Sequence, residues 1–298
     1  MSDRFDHSIE ATGTQWIISL WFDGSKEDSQ MIWESVLSVM KDFEKKYSRF
    51  DSNSFLSGLS KEAGSISVPS HLVSMLKIYQ GLYQLSNGGI TPLGGDMITQ
   101  LGYDREYRFR PSGEDVIVPN FDSAVHIASD HEIQIQEGLH FDIGALGKGY
   151  LIDLVMAQLL QEKRINRVLI NAGGDIAHHA HSGERARIAL ENPDDTSQAL
   201  GVIEIGNESL ASSASNKRRW GADGEHHHIY NPQDGESVAG IKASWVIHEQ
   251  AVMADALATS LFLVDADKLS EKYSFDYAYI TETKKIRYAQ RFKKAFFA

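Results

Sequence analysis

Three stretches of this 298-residue chain carry side chains at spacings that can do chemistry. The first is Phe141-Asp142-Ile143-Gly144-Ala145-Leu146-Gly147-Lys148-Gly149-Tyr150, with an acid, three glycines and a lysine inside eight residues. Glycines let a backbone turn tightly and approach a ligand closely. A helix that begins after such a turn presents N–H groups to an anion, and Lys148 adds positive charge. The segment reads as a phosphate-binding turn, or more plainly as a strand-to-helix turn with a lysine at the helix start. Its spacing is neither that of a P-loop nor that of a dinucleotide fingerprint.

The second stretch is Ala254-Asp255-Ala256-Leu257-Ala258-Thr259-Ser260-Leu261. Residues four apart share one face of a helix, so Asp255 and Thr259 point the same way. A carboxylate and a hydroxyl suit Mg2+, which takes a few protein oxygens and completes its shell with water and substrate phosphates. The bland alternative is a helix acid near a surface threonine. The third is His226-His227-His228 ahead of Asn231-Pro232. Successive strand residues alternate faces, so the three cannot share one metal. One imidazole beside a reacting hydroxyl can serve as general base; a polar strand edge is the alternative. His178, His179 and His181 form a looser group that reads as surface. No nucleophile elbow, metalloprotease helix or kinase signature occurs.

Composition narrows the class. Acids outnumber Lys and Arg 41 to 29, a formal net charge of −12, which argues against nucleic acid as the main partner. Cysteine is absent, so disulfides, thiolate catalysis and lipidated cysteine are excluded. The opening MSDRFDHSIEATG is too polar for a signal peptide, and no apolar run is long enough to span a membrane. The expectation is a cytoplasmic protein with no membrane insertion.

The elements that must position these residues follow from periodicity. Strands are predicted over 14–22, 125–128, 132–136, 167–171, 186–190, 201–205, 209–212 and 242–248, with short ones near 277–280 and 286–288. Helices are predicted over 27–47, 70–85, 149–163 and 249–263. Asn87-Gly88-Gly89 stops the second helix and leads into a glycine-rich loop through Gly95. Residues 103–120 read as polar surface. Strands and helices interleave, and hairpin-length gaps are common in the second half. That favours an α+β or mixed sheet over a doubly wound parallel one.

In chain order these segments resemble the FAD:protein FMN transferases, the ApbE-type flavin transferase family, over most of the chain. The family's Met-Gly-Thr segment is similar to Thr12-Gly13-Thr14, and its Phe-Ser-x-Tyr/Phe segment to Tyr47-Ser48-Arg49-Phe50. Gly88 to Pro92 resembles its Gly-x-Phe-Asp-Pro loop. Asp142 to Gly149 resembles its Asp-Leu-Gly-Gly-Ile-Ala-Lys-Gly signature, and His228 to Gly235 its His-Ile-x-Asp-Pro-x-Thr-Gly segment. Asn-Ala-Gly-Gly-Asp (171–175) and Ala-Asp-Ala-Leu-Ala-Thr (254–259) stand intact. The chain departs from the pattern at Thr12, at Ile90-Thr91 in place of Phe-Asp, at Ala145, at Asn231 and at Asp234.

The resemblance implies one ApbE-type domain over 1–298. Its fold would be α+β, a two-lobed mixed α/β unit, T-fold-like, with the cofactor in the cleft between lobes. It implies FAD bound with Mg2+ across the pyrophosphate. The metal ligands would be Asp255, Thr259 and the backbone carbonyl of Ala145. Asp142 and Lys148 would contact FAD, and Thr12, Phe50, Gly89, Ile90, Thr91 and Ile229 would line its pocket. His228 would assist deprotonation, the choice between His227 and His228 being open. The implied reaction transfers FMN from FAD to a Thr or Ser hydroxyl of a flavoprotein acceptor, with AMP leaving. Two alternatives keep the same pocket: a Mg2+-dependent FAD pyrophosphatase, motivated by Ile90 and Thr91, and a non-catalytic FAD-binding protein. All of these require the Ala145 backbone and the Asp255–Thr259 face to converge.

Overall fold

Eight antiparallel strands form the main sheet of the computed structural model, which describes residues 2–104, 108–110, 116–217, 219–220 and 226–297. Their order is Asp3–Ala11, Thr14–Phe22, Ile165–Ala172, Asp175–Ala180, Glu208–Ala214, Ile241–His248, Asp276–Thr281 and Ile286–Tyr288. Period-two alternation gives this sheet two different faces. In Thr14–Phe22 the residues Trp16, Ile18, Leu20 and Phe22 are fully buried, whereas Ile17 between them is 40% exposed. Their face packs under four helices, Lys26–Tyr47, Ser70–Leu85, Gly147–Leu159 and Ala251–Ser260. On the other face Leu210, Trp245 and Ile247 meet Leu190 and Ile205 of the hairpin Ala186–Asn192/Asp195–Ile205, and Phe292 of the turn Gln290–Lys294. A three-stranded sheet, ordered Gly64–Ser67, Glu132–Ile135, Val125–Ser129, extends the helical side. The architecture is α+β, as the interleaving predicts.

Two hairpins of the main sheet end side by side. Ala11 pairs with Thr14 around Thr12 (φ 50°) and Gly13 (φ 71°). Ala172 pairs with Asp175 around Gly173 (φ 64°) and Gly174 (φ 105°). Two central residues with positive φ match the right-handed twist of the flanking strands. The strands are neighbours, with Trp16 opposite Ala172, and the Gly173 N–H donates to the Gln15 carbonyl at 3.1 Å. A side chain on Gly173 would collide with Thr14, so glycine is what lets the tips lie together.

Several expectations need correction. Asp3–Ala11, for which the sequence predicts no element, is a strand; it lies at the sheet edge, where the solvent side favours charge. Asp175–Ala180 is an inner strand, so His178 is 2% exposed rather than on the surface. Its Nδ1 lies 2.8 Å from the Gly206 carbonyl, and Arg167 Nε donates to its Nε2 at 3.1 Å. His179 is partly buried; only His181 is exposed. The glycine-rich loop ends in a short helix, Gly95–Gln100. Within 103–120, Tyr103 and Asp104 are buried, while 105–107 and 111–115 lie outside the described residues. Among the described residues no helix is long and apolar enough to cross a membrane.

Candidate active site

The paired hairpin tips, the Asp142–Gly149 turn and the Ala251–Ser260 helix surround a cavity of about 560 Å³. Every residue that the sequence assigns to the site borders it: Thr12, Phe50, Gly89, Ile90, Thr91, Asp142, Ala145, Lys148, His228, Ile229, Asp255 and Thr259. His227 does not.

Asp255 is 5% exposed and is held from two sides. The Gly149 N–H donates to its Oδ2 at 2.8 Å, and Lys148 Nζ lies 3.5 Å from its Oδ1. One amide of the Gly147–Leu159 helix start is therefore given to Asp255 rather than offered to an anion, which amends the simple picture of that turn. Lys148 also forms an ion pair with Oδ2 of buried Asp175, whose Oδ1 accepts the Ser212 N–H at 3.0 Å. One turn beyond Asp255, the Thr259 hydroxyl lies 3.2 Å from Ser213 Oγ. The helix carrying Asp255 and Thr259 is fixed at its N-terminus by Asp153. Its two carboxylate oxygens accept the N–H groups of Ala251 and Val252 at 2.8 and 2.9 Å, the arrangement that a helix N-terminus favours. Burial, reinforced by the charge of Asp255, pushes the Asp153 carboxyl up to about 6 against those two stabilising bonds.

Asp142 shapes the turn itself. Its Oδ1 accepts the Gly144 N–H at 2.7 Å and its Oδ2 lies 3.2 Å from Arg49 Nε. Its N–H donates to the Pro92 carbonyl at 2.7 Å, and its carbonyl accepts the hydroxyl of fully buried Tyr79 at 3.3 Å. Burial raises the Tyr79 phenol well above its ordinary value, so it stays a neutral donor.

The wall beyond Arg49 is aromatic. The Arg49 guanidinium sits 4.1 Å from the Phe50 ring centre and 5.2 Å from that of Tyr103. Tyr103 stacks on Trp220 at 5.6 Å, and Met97, Ile98 and Leu101 pack with this pair. Tyr230 donates to the Gly94 carbonyl at 2.8 Å, and burial raises its phenol. At the other end, Glu44 Oε1 accepts the Thr12 N–H at 2.7 Å. A carboxylate thus borders the cavity although Thr91 stands where the family pattern has Asp.

The two histidines separate by burial. His227 is 5% exposed, its Nε2 lies 3.2 Å from the Val238 carbonyl, and desolvation holds its ring below the usual imidazole range. His228 borders the cavity, with Nδ1 3.2 Å from the Lys217 carbonyl. Sequence reasoning missed Glu44, Arg49, Asp153, Asp175 and Ser213 as site residues. Arg49 and Asp175 lie inside the motifs already noted; the others have no local signal.

Fold and site together define a known class. The ApbE family model matches residues 12–277, and the chain belongs to the ApbE family. It is similar to the FAD:protein FMN transferase of Treponema pallidum (strain Nichols), 25% identical over 284 residues, covering 85% of this chain and 78% of that one. It is 29% identical over 158 residues to an FAD:protein FMN transferase of Klebsiella pneumoniae (strain 342), covering 51% of this chain and 48% of that protein. Among solved structures, the ApbE protein of Thermotoga maritima MSB8 superposes with a TM-score of 0.85 at 22% identity, over 99% of this chain and 100% of that one. The flavin transferase ApbE of Vibrio cholerae gives 0.80 at 20% identity, over 99% and 100%. These structural likenesses are likenesses of fold.

Proposed function

We propose that this ApbE-family chain is an FAD:protein FMN transferase, transferring FMN from FAD in a Mg2+-dependent reaction to a Thr or Ser hydroxyl of a flavoprotein acceptor. The observation that carries the reading is the meeting, in one cavity, of the Asp142–Gly149 turn with the Asp255–Thr259 helix face. The donor set fits a hard cation. Asp255 and Thr259 are oxygen donors on one helix face, and Ala145 borders the same cavity. Among the described residues no group of three or more His, Asp or Glu is placed to cage a metal by itself. That suits an ion that retains water and substrate phosphates. Bound there, Mg2+ would neutralise charge on the pyrophosphate oxygens.

The protein's own residues supply the rest. Lys148 places a cation beside the acidic pair, where it can face the pyrophosphate. Phe50, Ile90, Tyr103 and Ile229 offer apolar walls for the flavin ring. With Nδ1 donating to the Lys217 carbonyl, the basic lone pair of His228 is on Nε2, suited to receive the acceptor's hydroxyl proton. That oxygen bonds to the FMN phosphorus while the pyrophosphate bridging bond breaks, and the bridging oxygen leaves with AMP. Positioning and charge neutralisation dominate such a displacement.

The test is to mix the protein with FAD, Mg2+ and a flavoprotein domain and look for a fluorescent band in a denaturing gel. A band in wild type and none in Asp255→Ala is expected. FMN and AMP released without any acceptor would move the assignment to a pyrophosphatase, and tight FAD binding with no turnover to a binding protein.

A further inference from the structure

We propose that Asp175 is a positioning residue whose charge keeps the Lys148 ammonium off the cation site at Asp255. The inference rests on reading Asp255 as a divalent-cation ligand. Lys148 Nζ spans two buried carboxylates. It is paired closely with Asp175 Oδ2 and stands 3.5 Å from Asp255 Oδ1. Asp175 is itself rigid: it is 2% exposed, it follows the Gly173-Gly174 turn directly, and its second oxygen is tied to the Ser212 N–H at 3.0 Å.

An ammonium and a divalent cation compete for the same carboxylate. Coulomb attraction between close unit charges strengthens as water is excluded, so a lysine resting on buried Asp255 would oppose metal entry strongly. Asp175 provides a second buried anion at which that lysine is retained. The lysine then need not be expelled into solvent or left uncompensated when Asp255 turns to a metal. Neutralising Asp175 removes this retention and shifts the ammonium toward Asp255. The Gly173-Gly174 turn thus contributes to the metal site from behind, without its acid touching the cation.

The experiment is Mn2+ titration followed by electron paramagnetic resonance, run with and without FAD, on wild type, Asp175→Asn and Lys148→Met/Asp175→Asn. Asp175→Asn is expected to weaken Mn2+ binding by about 10–100-fold, the usual range for a group behind a metal ligand. Without FAD, the double variant is expected to bind at least as tightly as wild type, because the competitor has gone; the FAD arm compares only wild type with Asp175→Asn, since Lys148 also faces the cofactor space. The double variant removes both members of the Lys148–Asp175 pair and leaves Asp255 its bond from the Gly149 N–H, so it carries the test even where Asp175→Asn does not fold. Weaker binding in the double variant than in wild type without FAD overturns the proposal, as does unchanged binding in Asp175→Asn. No Mn2+ binding by wild type in either condition instead overturns the reading of Asp255 as a ligand.

Discussion

The amide of Gly149 donates to Oδ2 of Asp255 across 2.8 Å, joining two helices whose residues lie 106 positions apart. The approach is possible only without a side chain: a Cβ on Gly149 would stand 2.8 Å from Asp255 Cβ and 2.7 Å from the Ala251 carbonyl carbon. Gly149→Ala is therefore expected to lose about 1–3 kcal/mol of stability by overpacking and to displace the carboxylate as well. Urea unfolding measures the first effect and Mn2+ affinity the second. Unaltered values for both would mean that the helices have slack that this geometry denies.

Asp153 makes the stability of the fold depend on pH in a definite direction. Burial raises its folded-state pKa to about 6 from an ordinary value of 3.8. Between those values the folded state holds the proton that the unfolded state has lost. The contribution of this group to stability is therefore fully present below pH 4, falls as pH rises through 6 and is flat above. Integrated over that window the change is at most about 3 kcal/mol. Asp153→Asn removes the titration, so the difference in unfolding free energy between wild type and variant should shift in the variant's favour from pH 4 to 6.5. Denaturant titrations in EDTA across that range check it; a constant difference refutes the assignment.

The elements around the site were legible where local chemistry is strong. Ser70–Leu85 has the predicted limits because Pro69 precedes it and Asn87-Gly88 follows. Thr14–Phe22 is likewise unambiguous as a core strand. Asp3–Ala11 was not, because an edge strand with a polar outer row lacks a sustained apolar signal. Asp255, Thr259 and the central turn, which border one cavity, could be singled out as candidates because one helix turn or one loop contains each. Asp153 and Ser213 were not. Asp153 acts on amides 98 and 99 residues away and Ser213 on a hydroxyl 46 residues away, and neither separation leaves a local pattern. His178 misled for a related reason: three nearby histidines look solvated until the strand order shows one of them turned inward.

Gly173, at a hairpin tip, and Gly183, in the connection after Asp175–Ala180, offer an internal control. Gly173 and Gly183 both have positive φ, 64° and 74°, so alanine at either carries the left-handed cost of about 1–2 kcal/mol. Only at Gly173 does the new methyl collide, with Thr14; at Gly183 nothing lies within 4 Å. Gly173→Ala should lower the melting temperature clearly more than Gly183→Ala and should also weaken FAD binding, because its hairpin borders the cavity. Equal losses of stability would show that the hairpin tips are not pressed together.

Arg49 links the acidic turn to the aromatic wall, and lysine cannot replace it there. Its Nε faces Asp142 at 3.2 Å, its terminal nitrogen donates to the Tyr103 carbonyl at 2.9 Å, and its plane lies over the Phe50 ring. Its side chain is only 12% exposed, so these contacts are shielded from solvent. A lysine keeps the charge but loses the planar fork and the stacking. The cation–π part alone is about 0.5–2 kcal/mol, and 1.4 kcal/mol is a factor of ten in affinity. Arg49→Lys is therefore expected to weaken FAD binding about tenfold, measured by quenching of flavin fluorescence. The fold should hold, because Asp142 keeps its bond to the Gly144 N–H. An Arg49→Lys protein that binds FAD like wild type would show that the flavin does not use the Phe50 side of the cavity.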